Sequence, residues 1–170
     1  RTCHASSNPD ASCLPLTMKP KVYMETTIVS YLAALPSRDI VLAAHQELTR
    51  EWWGRRSRFE LFVSQAVVDE AARGDVDAAA RRLALLAGIP LLALGGEADE
   101  FASPLLLAHA VPRTAKVDAL HIAVAAVNRV NYLVTWNCTH IANAAIRGKI
   151  EQTCVEAPAC RHRPSVLPKN

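Results

Sequence analysis

The sequence predicts an α/β domain whose central sheet is parallel and covered on both faces. Three observations carry this. Short apolar segments alternate with helix-like segments, several of them ten or more residues long, the length of a crossover connection. The strand-like segments are apolar throughout rather than alternating, as strands with two covered faces are. The segment "ALHIAVAAV", residues 119–127, is apolar nearly all round, which marks a central buried helix.

The elements follow in order. "KVYM" reads as the first strand, and "TIVSYLAAL" as a short helix that stops before Pro36. Residues 39–57 place Ile40, Ala43, Ala44 and Leu48 at helical spacing. "ELFVS" is the second strand. A helix runs from about Gln65 to Arg73, closed by Gly74, and another over 75–87, closed by Gly88. "PLLAL" is the third strand. Residues 97–110 have a helical pattern interrupted by Pro104. Residues 114–129 form the buried helix, "YLVT" the fourth strand, and residues 138–146 a last short helix.

At 170 residues the chain fits one domain with a sizeable core. Apolar residues make up 51%, which argues against a disordered chain. Residues 1–17 lack periodicity and read as a disordered extension, residues 18–157 as the domain, and residues 158–170 as a disordered tail. No apolar run approaches the ~20 residues of a membrane span, so no membrane partner is expected. Cys3, Cys13, Cys138, Cys154 and Cys160 form no CxxC pair, which suits reduced thiols in a cytoplasm and makes a zinc site improbable.

The net charge of +3 does not signal a nucleic-acid surface by itself. Residues 18–157 hold 15 Lys+Arg and 15 Asp+Glu, so the excess lies outside this span. One local cluster stands out: Arg50, Arg55, Arg56 and Arg58, beside Trp52 and Trp53. It reads equally as a solvated helix end or as a patch of candidate RNA contacts.

Ligands of open parallel sheets bind beyond the carboxyl ends of the strands. The polar groups expected there are Glu25 after the first strand, Ser64 after the second and Glu70 two turns into the next helix. Thr135 and Asn137 follow "YLVT", and Asp118 lies near the start of the buried helix. Singly, each has a structural explanation as a strand end, a surface residue, a cap or a dipole partner. Together, carboxylates at one rim repel each other, and a divalent cation offsets that repulsion.

The stretches "VYMETTIVSYL", "FVSQAVVDEAARGD", "KVDALHIAVAAVNRVNYLVTWN" and "CTHIANA" resemble the PIN-domain nucleases, in particular the VapC-like toxins of bacterial toxin–antitoxin pairs. The resemblance covers roughly residues 20–150. It implies a three-layer α/β/α PIN-like fold with a central parallel sheet of four to five strands. It implies Mg²⁺ or Mn²⁺ held for single-stranded RNA cleavage, with Glu25, Glu70, Asp118 and Asn137 at the family's four acidic positions. Thr26 and Thr135 match the small hydroxyl residues near the metal. The implied partners are the RNA substrate, a cognate antitoxin and a second copy of the chain.

Two positions depart from the family pattern. Glu25 stands where Asp is usual, and its extra methylene moves the oxygens by about 1.5 Å. Asn137 stands where Asp is frequent, so the site carries one negative charge fewer. One ion, held chiefly by Asp118, Glu25 and Glu70, is the expectation. His121 follows Asp118 by one helical turn; it is a candidate to orient Asp118 or contact substrate, against the alternative of a satisfied core histidine. His140 and Asn143 are weaker candidates. The leading reading is a metal-dependent endoribonuclease toxin. Its rivals are a catalytically weakened PIN-like domain that binds RNA or protein, and an unrelated α/β domain with a solvated rim.

Overall fold

The structure is a computed structural model that describes residues 18–93, 95–156 and 165–167. Five strands, β1 (Lys21–Met24), β2 (Glu60–Ser64), β3 (Leu91–Leu92), β4 (Tyr132–Val134) and β5 (Ser165–Leu167), form one sheet in the order β3-β2-β1-β4-β5. Every neighbouring pair is parallel. The α/β class and the parallel sheet expected from the sequence are both present.

The helices are α1 (Thr26–Ala33), α2 (Ile40–Gly54), α3 (Gln65–Ala71), α4 (Val76–Leu86), α5 (Gly96–Leu107), α6 (Lys116–Val127) and α7 (Ala144–Glu156). The chain moves from β1 to β2 to β3 in one direction, then jumps back across β1 to β4 and on to β5. Right-handed crossovers therefore put α1–α4 on one face and α5–α7 on the other. The packing agrees: α1 contacts α2, α3 and α4, while α5 contacts α6 and α7.

β1 is central, and Val22, Tyr23 and Met24 are buried. The core joins Tyr23 and Met24 to Val29 of α1, Val63 of β2, Leu133 of β4 and the small residues Ala119, Ala123 and Ala126 of α6. Alanines let α6 lie close to the sheet, and most of its length is buried, as its unbroken apolar pattern predicted.

Several boundaries differ from the sequence expectation. The helix expected over 39–57 ends at Gly54, and Arg56–Arg58 form one 3₁₀ turn. The last helix spans Ala144–Glu156, not 138–146. Asn137 gathers the chain into a turn first: its carbonyl accepts from the Ile141 and Ala142 amides, and its side chain from the His140 amide. Asn143 then caps α7 by accepting from Ala145 N. Ser165–Leu167, placed by sequence in an unpatterned tail, pairs with Tyr132–Val134. The expected extension, residues 1–17, lies outside the described residues. Gly74 and Gly88 have positive φ and end the α3 and α4 segments as their positions predicted.

Candidate metal centre

The strand order reverses at β1, so the crevice between the carboxyl ends of β1 and β4 is the switch point of the sheet. Glu25 and Thr135, the residues that follow those two strands, meet there. Glu25 N donates to Val134 O at 3.1 Å, and Thr135 Oγ1 donates to Glu25 Oε2 at 2.8 Å.

Glu25 is only 5% exposed. Its Oε2 also accepts from the amide and the hydroxyl of Thr27, so it caps α1 as well as facing the crevice. Three donors on one buried oxygen compensate much of its lost hydration. A carboxylate is stable where β1 gives way to a helix because the N-terminus of α1 and the end of β4 both supply donors to it.

Glu70 reaches the same crevice from the second turn of α3. Its Oε2 accepts short hydrogen bonds from Thr26 Oγ1 and lies 3.0 Å from His121 Nε2. Burial alone pushes this carboxyl up. The bonds from His121 and Thr26, with the charge of Arg73 and that of His121 when the ring is protonated, outweigh burial and hold it below the ordinary carboxylate value.

His121, 1% exposed, comes from the buried helix α6. Its Nδ1 lies 2.8 Å from Tyr23 Oη, which lies 2.7 Å from Ser64 Oγ. Burial, with the Glu25 and Glu70 charges, pushes the Tyr23 phenol well above its usual value against a smaller opposing effect of Ser64, so it keeps its proton. A buried chain Ser64–Tyr23–His121–Glu70 thus ties β2, β1, α6 and α3 together. Among the described residues, Glu25, Glu70 and His121 are the group of His, Cys, Asp or Glu whose ligand atoms all lie within 4.8 Å of one another.

Asp118 and Asn137 form an adjoining group. Asp118 is in the first turn of α6, one turn before His121. Its Oδ1 accepts from Asn137 Nδ2 at 3.0 Å, and its Oδ2 lies 2.7 Å from His140 Nδ1. Asn137 N donates to Thr135 Oγ1 at 2.8 Å. Thr135 therefore joins the two groups, but Asp118 is not within the close set around Glu25 and Glu70. The ligand trio expected from sequence, Asp118 with Glu25 and Glu70, is replaced in proximity by His121 with Glu25 and Glu70.

The arginine cluster lies elsewhere. Arg55, Arg56 and Arg58 immediately precede β2, at the amino edge of the sheet and opposite the crevice. Arg50 pairs with Glu47 and Arg55 with Glu51. Arg56 covers the Trp53 ring at 4.7 Å, and Trp52 stacks on Phe59. Both tryptophans pack against the core. Arg113 and Lys116, both exposed, lie just before Asp118 at the start of α6, and the exposed Arg73 acts on Glu70 from just past the end of α3.

Sequence reasoning did not single out Tyr23 or the Ser64–Tyr23–His121 chain, and it ranked His140 low. The readable signals were a hydroxyl in the centre of an apolar strand and the Asn137-to-His140 spacing of one turn. Comparison with protein-family models and with curated proteins finds no match for this chain.

The residues present suit a hard divalent ion. Two carboxylates at a partly open crevice are the protein share that Mg²⁺ or Mn²⁺ commonly takes, with water completing the shell. Among the described residues, no hydrogen bond reaches Oε1 of Glu25 or Glu70, which leaves one oxygen of each for such an ion.

Proposed function

We propose that the chain is a divalent-metal-dependent endoribonuclease that cleaves single-stranded RNA, the toxin of a toxin–antitoxin pair. The observation that carries this reading is the convergence of Glu25, Glu70 and His121 at the switch-point crevice. Two carboxylates meet at one crevice, and a divalent cation placed there is attracted to both. When bound, Mg²⁺ or Mn²⁺ supplies charge against phosphoryl oxygens and acidifies water.

The chain's own residues do the rest. Thr27 and Thr135 hold Glu25, and Thr26 with His121 holds Glu70, so neither carboxylate must reorganise when substrate arrives. Asp118 fixes the His140 ring through Nδ1, leaving Nε2 as the ring's other site for a proton at the substrate. Arg113 and Lys116 stand beside this edge and suit phosphate contacts. Exposed Ile40, Val41 and Leu48 on α2 offer apolar surface to an antitoxin or a second copy. The cytoplasm is the compartment this reading assigns.

One observation favours a second reading. Both oxygens of Asp118 are engaged inside the protein, by Asn137 and His140, which suits a domain that holds RNA without cutting it. Incubation of unstructured RNA with the wild-type chain and with Glu70→Gln, with and without Mn²⁺, separates the two. The nuclease reading expects Mn²⁺-dependent fragments from wild type and none from the variant. RNA bound without fragments in any condition supports the binding module.

A further inference from the structure

Resting on the metal reading above, we propose that His121 Nε2 is a direct ligand of the divalent ion, beside Glu25 and Glu70, and that it makes the site prefer Mn²⁺ to Mg²⁺. The three ligand atoms lie within 4.8 Å of one another. His121 Nε2 and Glu70 Oε2 are 3.0 Å apart, which is the edge between adjacent ligands of an octahedral ion with bonds of about 2.1 Å; once Nε2 gives up its proton, this oxygen keeps only Thr26 as a donor and has a lone pair for the ion beside the free Oε1.

The ring is built to present this nitrogen. It is buried, and its Nδ1 is anchored on Tyr23 Oη, the arrangement by which a second hydrogen bond orients a ligating histidine. Ligation requires Nε2 without a proton. Nδ1 then carries the proton and donates to Tyr23 Oη, and Tyr23 donates to Ser64 Oγ. In the ion-free arrangement Nε2–H donates to Glu70, Tyr23 donates to Nδ1, and Ser64 donates to Tyr23. Reversing the donors along Ser64–Tyr23–His121 keeps both hydrogen bonds of the chain in the two states without moving a heavy atom.

Asp118, by contrast, spends both oxygens on Asn137 and His140 and stands outside the close group. An imidazole ligand suits transition ions, whereas an all-oxygen site suits Mg²⁺, so replacing Asp118 by His121 in the ligand set shifts the preference toward Mn²⁺.

Pulsed electron paramagnetic resonance on the Mn²⁺-loaded full chain tests this directly. Wild type is expected to show the ¹⁴N coupling of a directly bound ring nitrogen. His140→Gln, which changes the other histidine at this edge, keeps it. His121→Gln loses it and loses at least about tenfold of its Mn²⁺-over-Mg²⁺ preference in competition. If His121→Gln does not fold, the wild type and His140→Gln still decide: retained coupling excludes His140, and among the described residues His121 is the histidine grouped with Glu25 and Glu70. Bound Mn²⁺ without direct ¹⁴N coupling overturns the proposal and leaves a carboxylate-only site. Coupling that disappears in His140→Gln overturns it in favour of that ring. Wild type that binds no Mn²⁺ removes the metal reading itself.

Discussion

Thr135 Oγ1 donates to Glu25 Oε2 at 2.8 Å, joining two residues 110 positions apart in sequence at the carboxyl ends of adjacent strands. The same hydroxyl accepts from Asn137 N. Thr135→Val keeps the shape, withdraws one of three donors from a buried carboxylate oxygen, and strands an amide. The expected loss is about 1–3 kcal/mol. Urea unfolding measures it, and an unchanged midpoint would show that the bond contributes nothing to the fold.

Tyr23→Phe removes the centre of the Ser64–Tyr23–His121 chain. The ring still fills the core, but Ser64 Oγ and His121 Nδ1 lose their shared partner. A loss of about 1–3 kcal/mol is expected from leaving buried polar atoms unpaired. A second variant, Leu133→Ala, opens the core beside this chain and is expected to cost about 2–5 kcal/mol. A loss above about 3 kcal/mol for Tyr23→Phe would contradict a cost of unpaired polar atoms rather than of a cavity.

Glu70 gives a pH dependence of definite sign. Its carboxyl is held below the ordinary value, near 4.3 in an unfolded chain. The folded state therefore binds this proton less readily than the unfolded state. Its contribution is fully present above about pH 4.3 and is lost as pH falls through the lower folded value. Melting curves between pH 7 and pH 3 should show a steeper acid loss in wild type than in Glu70→Gln. Parallel acid limbs would place the titration on other groups.

Asp118→Asn separates catalysis from ion binding. Asp118 holds His140 and Asn137 but lies outside the close carboxylate group. Cleavage of RNA is expected to fall by about 100-fold or more, the range for losing acid–base assistance, while Mn²⁺ binding persists. Loss of Mn²⁺ binding in this variant would return Asp118 to the ligand set.

Much of the fold was legible because its signals are local. β1, β2 and β4 each contain a continuous apolar run, Gly74 and Gly88 mark stops, and the nearly unbroken apolar pattern of α6 announced its burial. The misread parts depend on contacts that sequence spacing does not carry. Asn137 bends residues 138–143 into a turn through bonds to its own backbone and side chain, which delays α7. β5 is fixed by pairing with β4 rather than by pattern. The rim residues were readable as polar groups after strands, so Glu25, Glu70 and Thr135 were found. Glu25 and Glu70 were expected at one rim, but the nearness of His121 rather than Asp118 to them was not readable. Asp118 and His121 are one helical turn apart, and which of them turns to Glu70 depends on the packing of α6 against β1.

The most direct test of the central claim is thermal melting with and without millimolar Mn²⁺, on wild type and on Glu70→Gln. An ion that binds only the folded state at about a hundred times its Kd adds about 2.7 kcal/mol. For a chain of this size that raises the melting temperature by about 5–10 °C. The account expects that rise in wild type and its loss in Glu70→Gln. No rise in wild type, or an equal rise in both, would contradict a divalent-ion centre built on Glu25, Glu70 and His121.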